Sequence, residues 1–464
     1  MKFGGTSVGS PERIRGLADL VAARIDLAPV VVVSAFSGIT DALLHGAQLA
    51  LARDAACARV LSATLERHRD AVDALVPPGA ERDNLLAQVE NLLAELRALY
   101  SGVYNLGELT ARSLDAISSM GERLSHEIVA AALRARGVPA REVDARRVVI
   151  TDESFGRARP FPEDTAAGVA SHVRPLLDSR MVPVLPGFIG ATRQGATTTL
   201  GRGGSDWSAS LLGAILGADE IQIWTDVDGM MTVDPRVVAA ARALPSVTFD
   251  EAAELAYFGA KVLHPETIRP AIERGIPVRI LNSLRPQAPG TLIRQSADGI
   301  LGEPRAIAFK KGISVILIAQ PRMLMAYGFV ARVFEVFDRH RTPVDLIATS
   351  EVSISLTVDD PSRLRAVEEE LAALGDVKVL AGMAIVSVIG RGFVRHSGLA
   401  GRIFHAIRDV NVVMISFGAS DVNVSFVVAE ADAERAVRTL HREFFETGAA
   451  APTIAADAAD RMVH

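Results

Sequence analysis

The feature that most limits the fold is a segment that occurs twice in the last third of the chain. Three pairs of segments match at one offset of 70 residues without a gap: 312–318 with 382–388, 328–334 with 398–404, and 350–355 with 420–425. A single offset held over three blocks indicates two copies of one module. Each copy predicts the order strand, helix, strand, strand, helix, strand, typical of ferredoxin-like regulatory modules that bind ligands between copies.

The region before the repeat has a different pattern of predicted strands and helices. Residues 1 to about 295 alternate short β-branched runs with long Ala-, Leu- and Arg-rich helical stretches. This alternation predicts an α/β fold with a mostly parallel sheet between helix layers. The predicted buried strands are 30–33, 182–185, 220–224 and 277–281. A helical insert at 81–100 carries an apolar face made by Leu85, Leu86, Val89, Leu92, Leu93 and Leu96.

The chain is therefore divided into a large α/β domain at 1–295, a first module at 296–381, a second at 382–447 and a flexible tail or linker at 448–464. Its net charge of −6 argues against a partner that is nucleic acid or a membrane surface. The lone Cys57 cannot form an internal disulfide. No apolar run reaches the ~20 residues that span a bilayer. We therefore expect a cytoplasmic protein.

Two glycine-rich segments carry residues suited to anion binding. Lys2 stands before Gly4, Gly5, Thr6 and Ser7, where backbone N–H groups and an ammonium can approach a phosphate. By itself such a Gly-Gly turn is more often only a turn. Residues 197–206 combine three glycines with Arg202 and end in Ser205 and Asp206 at the start of a predicted helix. Helix capping alone requires neither the arginine nor the glycines.

Two further segments are polar. Residues 224–236 place Asp226, Asp228 and Asp234 after a predicted strand, where they can hold Mg²⁺ or ribose hydroxyls, or simply form turns. In the segment 258–264, Lys261 is a candidate phosphate ligand, whereas His264 is expected to be structural. His68-Arg69-Asp70 resembles the catalytic loop of protein kinases, but the surrounding sequence predicts a helix, so this segment is not taken as a catalytic motif. No His/Cys cluster has zinc spacing, so no protein metal site is predicted.

Together these motifs resemble the aspartate kinases of the amino acid kinase superfamily, lysine-sensitive subgroup, and the repeat resembles their paired ACT domains. The resemblance covers nearly the whole chain, and it rests on Lys2–Ser7, Ser34–Thr40, Gly121–Ser125, Thr197–Asp206, Trp224–Asp226 and Phe258–Lys261. Two departures are a short first strand before Lys2 and Met231, which stands where tyrosine is common.

The resemblance implies transfer of the ATP γ-phosphoryl group to the side-chain carboxylate of L-aspartate, with Mg²⁺, as the first step towards lysine, methionine and threonine. It implies catalytic roles for Lys2, Asp206 and Lys261. The implied nucleotide-binding residues are Gly4, Gly5, Thr6, Ser7, Thr225, Asp226, Met231, Arg236 and Lys261. The implied aspartate-binding residues are Ser34, Thr40, Glu122, Arg202, Gly203, Gly204 and Ser205.

The resemblance also implies feedback inhibition by L-lysine bound to the first ACT module, and a homodimer or homotetramer formed through the modules. A cationic effector requires a carboxylate, which Asp345 or Glu351 can supply; the second copy has Ile415 and Asp421 there. The implied effector residues are Met323, Gly328, Phe329, Val330, Val344, Asp345, Ser350 and Glu351.

Alternatives stay open at this point. The chain can be the kinase portion of a bifunctional enzyme, or a kinase inhibited by threonine. From another class, it can be a catalytically inactive amino-acid sensor, although Lys2, Arg202, Asp206 and Lys261 are all present. Glutamate kinase and other acylphosphate kinases share the fold, but they generally lack tandem ACT modules.

Overall fold

The computed structural model describes residues 1–259, 263, 265–297, 299–320 and 327–446. These residues form two compact units. The first comprises 1–230 and 243–299, and the second comprises 231–242 together with the chain from 300 onward. The predicted division at 295/296 lies close to the last crossing, but the inclusion of 231–242 in the second unit was not anticipated.

The first unit is built on a sheet in the order β3-β5-β2-β1-β8-β10-β11-β9, in which every neighbouring pair is parallel except β10 and β11. A smaller sheet has the order β4-β6-β7. The strands are β1 Lys2–Phe3, β2 Val31–Val33, β3 Ala140–Glu142, β4 Ile150–Thr151, β5 Val182–Pro186, β6 Ile189–Thr192, β7 Thr197–Thr199, β8 Ile221–Thr225, β9 Ser246–Thr248, β10 Val278–Asn282 and β11 Thr291–Arg294. The four predicted strands are confirmed as β2, β5, β8 and β10.

Helices cover this sheet because their apolar faces pack on the β-branched strands. They are α1 Pro11–Ala22, α2 Ile39–Leu51, α3 Cys57–Leu75, α4 Ala80–Leu106, α5 Ala111–Ser118, α6 Met120–Ala135, α7 Pro162–His172, α8 Arg174–Asp178, α9 Gly204–Leu216, α10 Phe249–Phe258 and α11 Arg269–Arg274. The predicted insert is α4, whose Leu85, Val89, Leu93 and Leu96 are buried. His68 lies inside α3 as predicted, stacked on Phe36. Within the described part of the chain, no helix has the length and apolarity that crossing a bilayer requires.

The second unit is a six-stranded antiparallel sheet in the order β13-β14-β12-β15-β17-β16. Its strands are β12 Pro304–Ala319, β13 Ile347–Thr349, β14 Ser353–Val358, β15 Asp376–Gly390, β16 Val412–Phe417 and β17 Asn423–Ala429. Its helices are α12 Phe329–Arg339, α13 Leu364–Leu371, α14 Leu399–Ala406 and α15 Glu430–His441.

The two copies share the long strands β12 and β15. Residues 313–319 of β12 pair with 376–383 of β15 in the first copy, and residues 304–311 pair with 384–390 in the second. The prediction that each copy supplies its own sixth strand is therefore wrong for the second copy. Its sixth strand is 304–311, which precedes the first copy in the chain, so the first copy is inserted into the second.

Apolar residues of α12 recur at the spacing of one helix face, and this face is only partly buried. Phe329, Val333 and Phe337 lie in the core of the first copy, whereas Val330 is 42% and Phe334 is 39% exposed. The face of α12 that is buried in the core is therefore narrower than the face on which its apolar residues lie.

The segment 231–242 is held in the second copy by apolar burial and by hydrogen bonds. Val233 and Val238 belong to that core. The Ile307 N–H donates to the Thr232 carbonyl at 2.7 Å, and Nε2 of the buried His441 lies 3.1 Å from the Thr232 hydroxyl. This segment interrupts the first unit between β8 and residue 243.

Candidate active site

An ion pair joins the central strand of the first unit to a helix start. Nζ of Lys2, on β1, lies 2.8 Å from Oδ1 of Asp206, in the first turn of α9, and both side chains are close to nine-tenths buried. Helix α9 begins after Gly203, which adopts the left-handed conformation with φ of 71°. The helix N-terminus favours a carboxylate at this place.

A cavity of about 470 Å³ opens beside this ion pair. It lies beyond the carboxyl ends of β1, β2 and β5, where ligands bind in open α/β sheets. Every residue that lines it belongs to the first unit: Lys2, Ser34, Thr40, Glu122, Phe188, Gly201, Arg202, Gly203, Gly204, Ser205 and Asp206. The structure thus brings all seven predicted aspartate-binding residues around one cavity with Lys2 and Asp206.

Glu122 is the buried acidic wall of this cavity. It lies in the first turn of α6 and is 4% exposed. Its Oε2 has no hydrogen-bond partner among the described residues. Burial raises the pKa of Glu122 to about 8, and a hydrogen bond from the Ala35 backbone opposes the rise. A buried carboxylate with an unused oxygen is stabilised when a cationic ligand group reaches it.

Arg202 supplies the opposite charge at the same cavity. It is exposed, and no described residue forms a hydrogen bond or ion pair with its guanidinium group. Two glycines with positive φ, Gly201 and Gly203, flank it. Ser34 donates to the Ser205 hydroxyl at 3.0 Å, which ties the end of β2 to the start of α9. The cavity therefore offers a cation and a carboxylate to a small zwitterion.

The predicted phosphate loop follows β1 as a short 3₁₀ turn, Gly5–Val8. The Gly4 N–H donates to the Trp224 carbonyl at 3.1 Å, which fixes the loop against β8. The Ser7 hydroxyl lies 2.8 Å from that of Ser283 and donates to the Trp224 carbonyl, so Ser7 anchors the loop from within. Gly4, Gly5 and the exposed Thr6 remain accessible candidates for phosphate contact.

The other predicted nucleotide residues do not form one described cluster. Thr225 ends β8 and its hydroxyl donates to the exposed Asp226 at 3.2 Å. Met231 and Arg236 belong to the second unit, where Arg236 pairs with Asp234. Lys261 and His264 lie outside the described residues.

Two of the three acidic residues in this segment, Asp228 and Asp234, form an ion pair with an arginine. Asp228 accepts from Asn282 at 2.7 Å and pairs with Arg285. The Arg236 guanidinium holds the pKa of Asp234 below its ordinary value. Turn chemistry therefore accounts for Asp234, whose partner is two residues away. Asp228 is held instead by residues of the segment that follows β10 and by the end of β10 itself. Asp226 is the exposed member of the three. Among the described residues, no group of three His, Cys, Asp or Glu side chains is arranged to hold a metal.

Sequence reasoning missed two residues that shape the cavity. Phe188 lines it with φ of 68°, a conformation rare for a bulky residue, held by hydrogen bonds with Ser208 and Leu200. No sequence signal marks such a phenylalanine.

Asp115 of α5 is the second missed residue. It is 2% exposed and accepts three hydrogen bonds, from the Gly156 N–H at 2.9 Å, the Thr199 N–H at 2.9 Å and the Thr199 hydroxyl at 2.7 Å. It thereby joins the turn at Gly156 to the end of β7, after which the chain continues into Gly201 and Arg202. Its donors lie 41 and 84 positions further along the chain, so no local motif marks it.

Comparisons with known proteins agree with this geometry. The model of the amino acid kinase family matches residues 1–282, and that of the ACT domain matches 386–444. The chain is similar to Aspartokinase 1, chloroplastic, of Arabidopsis thaliana, at 44% identity over 97% of this chain and 80% of the relative. It is 38% identical to lysine-sensitive aspartokinase 3 of Escherichia coli, over 96% and 98% of the two chains. A crystal structure of E. coli aspartokinase III in complex with aspartate and ADP matches with a TM-score of 0.82 and 37% identity, over 96% and 99%.

The pKa of Glu122 predicts an unusual pH dependence of stability. Because the folded-state pKa of about 8 lies above the ordinary 4.5, the folded protein holds a proton that the unfolded chain releases between these values. The wild-type free energy of unfolding therefore falls relative to that of Glu122→Gln as pH rises from 5 to 8, by up to about 1.4 kcal/mol per pH unit, and the difference levels off above pH 9. Urea denaturation at pH 5, 6.5, 8 and 9 measures it.

Glu95→Gln is the matched control. Hydrogen bonds from Arg123 lower the pKa of Glu95. The stabilisation that ionised Glu95 provides is therefore complete above the ordinary pKa of a glutamate and is lost only as pH falls below it. The difference in free energy of unfolding between wild type and Glu95→Gln therefore stays constant from pH 5 to 9. A flat profile for Glu122→Gln as well would contradict the buried, protonated state of Glu122.

Proposed function

The chain belongs to the aspartokinases, which phosphorylate the side-chain carboxylate of L-aspartate with ATP, and we propose that the cavity beside Lys2 and Asp206 is where the reaction occurs. The observation that carries this proposal is that Glu122 and Arg202 face the same cavity as the ion pair. A guanidinium cation, a buried carboxyl group that ionises when an ammonium reaches it, and a further ammonium are the groups that an amino acid with a reactive carboxylate requires.

The substrate is held at its two non-reacting ends. Arg202 binds the α-carboxylate, for which the guanidinium fork suits two parallel hydrogen bonds. Glu122 binds the α-ammonium, which supplies the counter-charge that its buried carboxylate lacks. Ser34, Thr40, Gly203, Gly204 and Ser205 complete the pocket. The side-chain carboxylate is then directed towards Lys2.

The transfer requires no general base because the nucleophile is already ionised at neutral pH. One oxygen of the aspartate side chain forms a bond to the γ-phosphorus while the bond to the bridging oxygen breaks, and ADP leaves with that electron pair. Lys2 neutralises charge on the transferring group, and Lys261 is proposed to do the same for the phosphates. Asp206 orients Lys2 and takes no proton. Positioning and electrostatics thus supply the catalysis.

ATP is proposed to place its phosphates over Gly4, Gly5 and Thr6, with Ser7 as the anchor of that loop. Thr225 and Asp226 complete the proposed nucleotide-binding set within the first unit. Mg²⁺ is proposed to enter with the nucleotide, because this ion is commonly bound by phosphate oxygens, waters and one or two carboxylates. The exposed Asp226 fits as one such carboxylate. The bound ion would neutralise phosphate charge.

Regulation is proposed to reside in the first copy of the module, with L-lysine as effector. Gly328 caps α12 with φ of 77°, and Asp345 is 3% exposed at its side chain. Nζ of Lys310 lies 3.5 Å from Asp345 and 2.7 Å from Asp359, so the protein already places an ammonium beside the proposed effector carboxylate. Other proposed contacts are Phe329, Val330, Val344, Ser350 and Glu351. Met323 lies outside the described residues.

The assembly is proposed to be a homodimer or homotetramer formed through the modules, in the cytoplasm. Apolar residues exposed on the second unit support a protein partner there, among them Val330, Phe334, Ile347, Ile415 and Phe417. Threonine as effector is the second candidate, and the kinase portion of a longer bifunctional chain is the alternative context.

Replacing Arg202 tests the proposed substrate site. Arg202→Lys keeps the charge but removes the bidentate fork, so KM for L-aspartate rises by about 10- to 100-fold while KM for ATP changes little. Steady-state ADP release at varied aspartate measures the effect. Arg193→Lys is the control, because Arg193 lies in the same unit and pairs with Asp164. An unchanged KM for aspartate in Arg202→Lys would remove this residue from the substrate site.

Replacing Asp345 tests the proposed effector site. Asp345→Asn removes the negative charge, so the L-lysine concentration for half inhibition rises by about tenfold or more. Asp359→Asn is the matched control, since Asp359 also pairs with Lys310 but is not a proposed contact of the effector. Equal effects of the two variants would assign the change to Lys310. Inhibition of the wild type by L-threonine but not by L-lysine would replace the proposed effector.

A further inference from the structure

One side chain of α3 reaches two loops of the proposed active site. Nη1 of Arg67 donates to the Ser37 carbonyl at 2.8 Å, and Nη2 donates to the Gly9 carbonyl at 3.0 Å. Ser37 belongs to the segment 34–40, which runs from the end of β2 into α2 and which we call the aspartate loop. Gly9 directly follows the segment 4–8, the phosphate loop. A single guanidinium group therefore joins the loop proposed to hold the nucleotide to a loop proposed to hold L-aspartate.

The two loops lie against each other through glycines. A Cβ added at Gly5 would lie 3.1 Å from the Ala35 carbonyl oxygen and 3.6 Å from Cα of Ser37. A Cβ added at Gly9 would lie 3.5 Å from Cβ of Ser37. Glycine permits this close approach of one backbone to another, but it brings no side chain that could interlock the loops. Hydrogen bonds from outside the contact therefore help to set the spacing between the loops.

The residue after Arg67 on α3 fixes the aspartate loop in a second way. His68 is fully buried, its Nδ1 lies 2.7 Å from the Thr64 carbonyl oxygen, and its ring stacks on Phe36 with the centroids 4.7 Å apart. Burial lowers the pKa of His68 to about 4, so the ring is neutral at pH 7 and packs as an uncharged group. Phe36 belongs to the aspartate loop, and Cζ of Arg67 lies 5.8 Å from the centroid of its ring. Adjacent residues of one helix therefore hold this loop by its backbone and by its side chain.

Arg67 differs from the next arginine on the same helix. Arg69 forms an ion pair with Glu90 of α4. Among the residues that the structure describes, Arg67 pairs with no carboxylate, and its guanidinium group is held by the two backbone carbonyls. The planar guanidinium fork reaches two acceptors at once, and a charged donor forms stronger hydrogen bonds than a neutral one. The interactions of Arg67 are therefore directed at the two loops.

We propose that Arg67 is a positioning residue for the phosphoryl transfer, which it serves by holding the phosphate loop and the aspartate loop at a fixed spacing. This inference rests on the proposed function, because in that reaction the two loops hold different substrates. Transfer requires the attacking carboxylate oxygen to lie close to the γ-phosphorus and in line with the breaking bond, and a misplacement of about 1 Å can lower the rate by about 10²-fold. Each substrate keeps its own contacts when Arg67 is removed, so turnover suffers more than binding.

Replacing Arg67 in the full-length protein tests this inference, with the acylphosphate trapped by hydroxylamine. Arg67→Ala is expected to lose about 10- to 100-fold in kcat, while KM for ATP and KM for L-aspartate each change by less than about threefold. Arg67→Lys keeps the charge but lacks the fork, so its kcat is expected to lie between those of wild type and Arg67→Ala. Arg69→Ala is the matched control on the same helix and keeps the wild-type kcat.

Chemical rescue separates positioning from a general loss of structure. Guanidinium chloride at millimolar concentration supplies the missing group in the space left by the side chain, so it is expected to raise the kcat of Arg67→Ala several-fold. Sodium chloride at the same concentration is expected to have no such effect. A variant that has only lost folded protein gains nothing from guanidinium, and its midpoint of urea denaturation falls.

The outcomes distinguish this inference from the proposed function. An active wild type together with a wild-type kcat in Arg67→Ala overturns the inference alone. A loss of kcat that guanidinium does not restore also overturns it, as does a rise in one KM that exceeds the fall in kcat, which would assign Arg67 to the binding of that substrate. A wild type that forms no acylphosphate overturns the proposed function and this inference with it.

Discussion

The ion pair between Lys2 and Asp206 is the interaction on which the architecture of the site depends. It connects the central strand of the sheet to the start of α9 across 2.8 Å. A buried pair of this kind is stable only when desolvation is offset by good geometry, here by the helix N-terminus next to Asp206. The pair therefore places an ammonium at the strand ends and fixes the glycine-rich turn that leads into α9. Arg202 takes its position from that turn.

Around this pair, each wall of the cavity comes from a different part of the chain. Ser34 follows β2, Phe188 follows β5, and Glu122 begins α6. Asp115 is not part of the cavity but receives three hydrogen bonds that hold the loop before Arg202. Neutralising a buried acceptor of this kind removes support from the loop without touching the substrate. The side chains that bind the substrate are thus held in fixed positions because hydrogen bonds from backbone N–H groups fix the loop that carries them.

The regulatory unit has its own constraint, the pair of long strands shared between the two copies. Because β12 and β15 run through both copies, neither copy has a complete sheet without the other. The segment 231–242 is packed in the second copy, and its flanking residues on both sides belong to the kinase unit. The chain itself therefore continues from the end of β8 into the regulatory core and back.

Much of this was predictable from residues close together in the chain. Buried strands, glycine-rich turns and the 70-residue offset are local or periodic signals, and they placed Lys2, Arg202 and Asp206 at strand ends and helix starts. The contacts that were missed join distant residues. Ser7 meets Ser283, and Asp115 meets Thr199. The sixth strand of the second copy was missed because a local pattern does not say which strands become neighbours. The exposure of Val330 and Phe334 was missed because periodicity does not say how wide a face the core covers.

The most direct test of the account is trapping of the acylphosphate product with hydroxylamine in wild type and Lys2→Met. With ATP and L-aspartate, the wild type is expected to form aspartyl hydroxamate in step with ADP. Lys2→Met is expected to lose about 10²- to 10³-fold in kcat, because one charge-stabilising donor is removed, and to raise KM for L-aspartate as well, because the turn that positions Arg202 loses its ion pair. ADP release without hydroxamate, or a Lys2→Met variant with wild-type kcat, would contradict the claim that this ion pair presents the ammonium that carries the transfer.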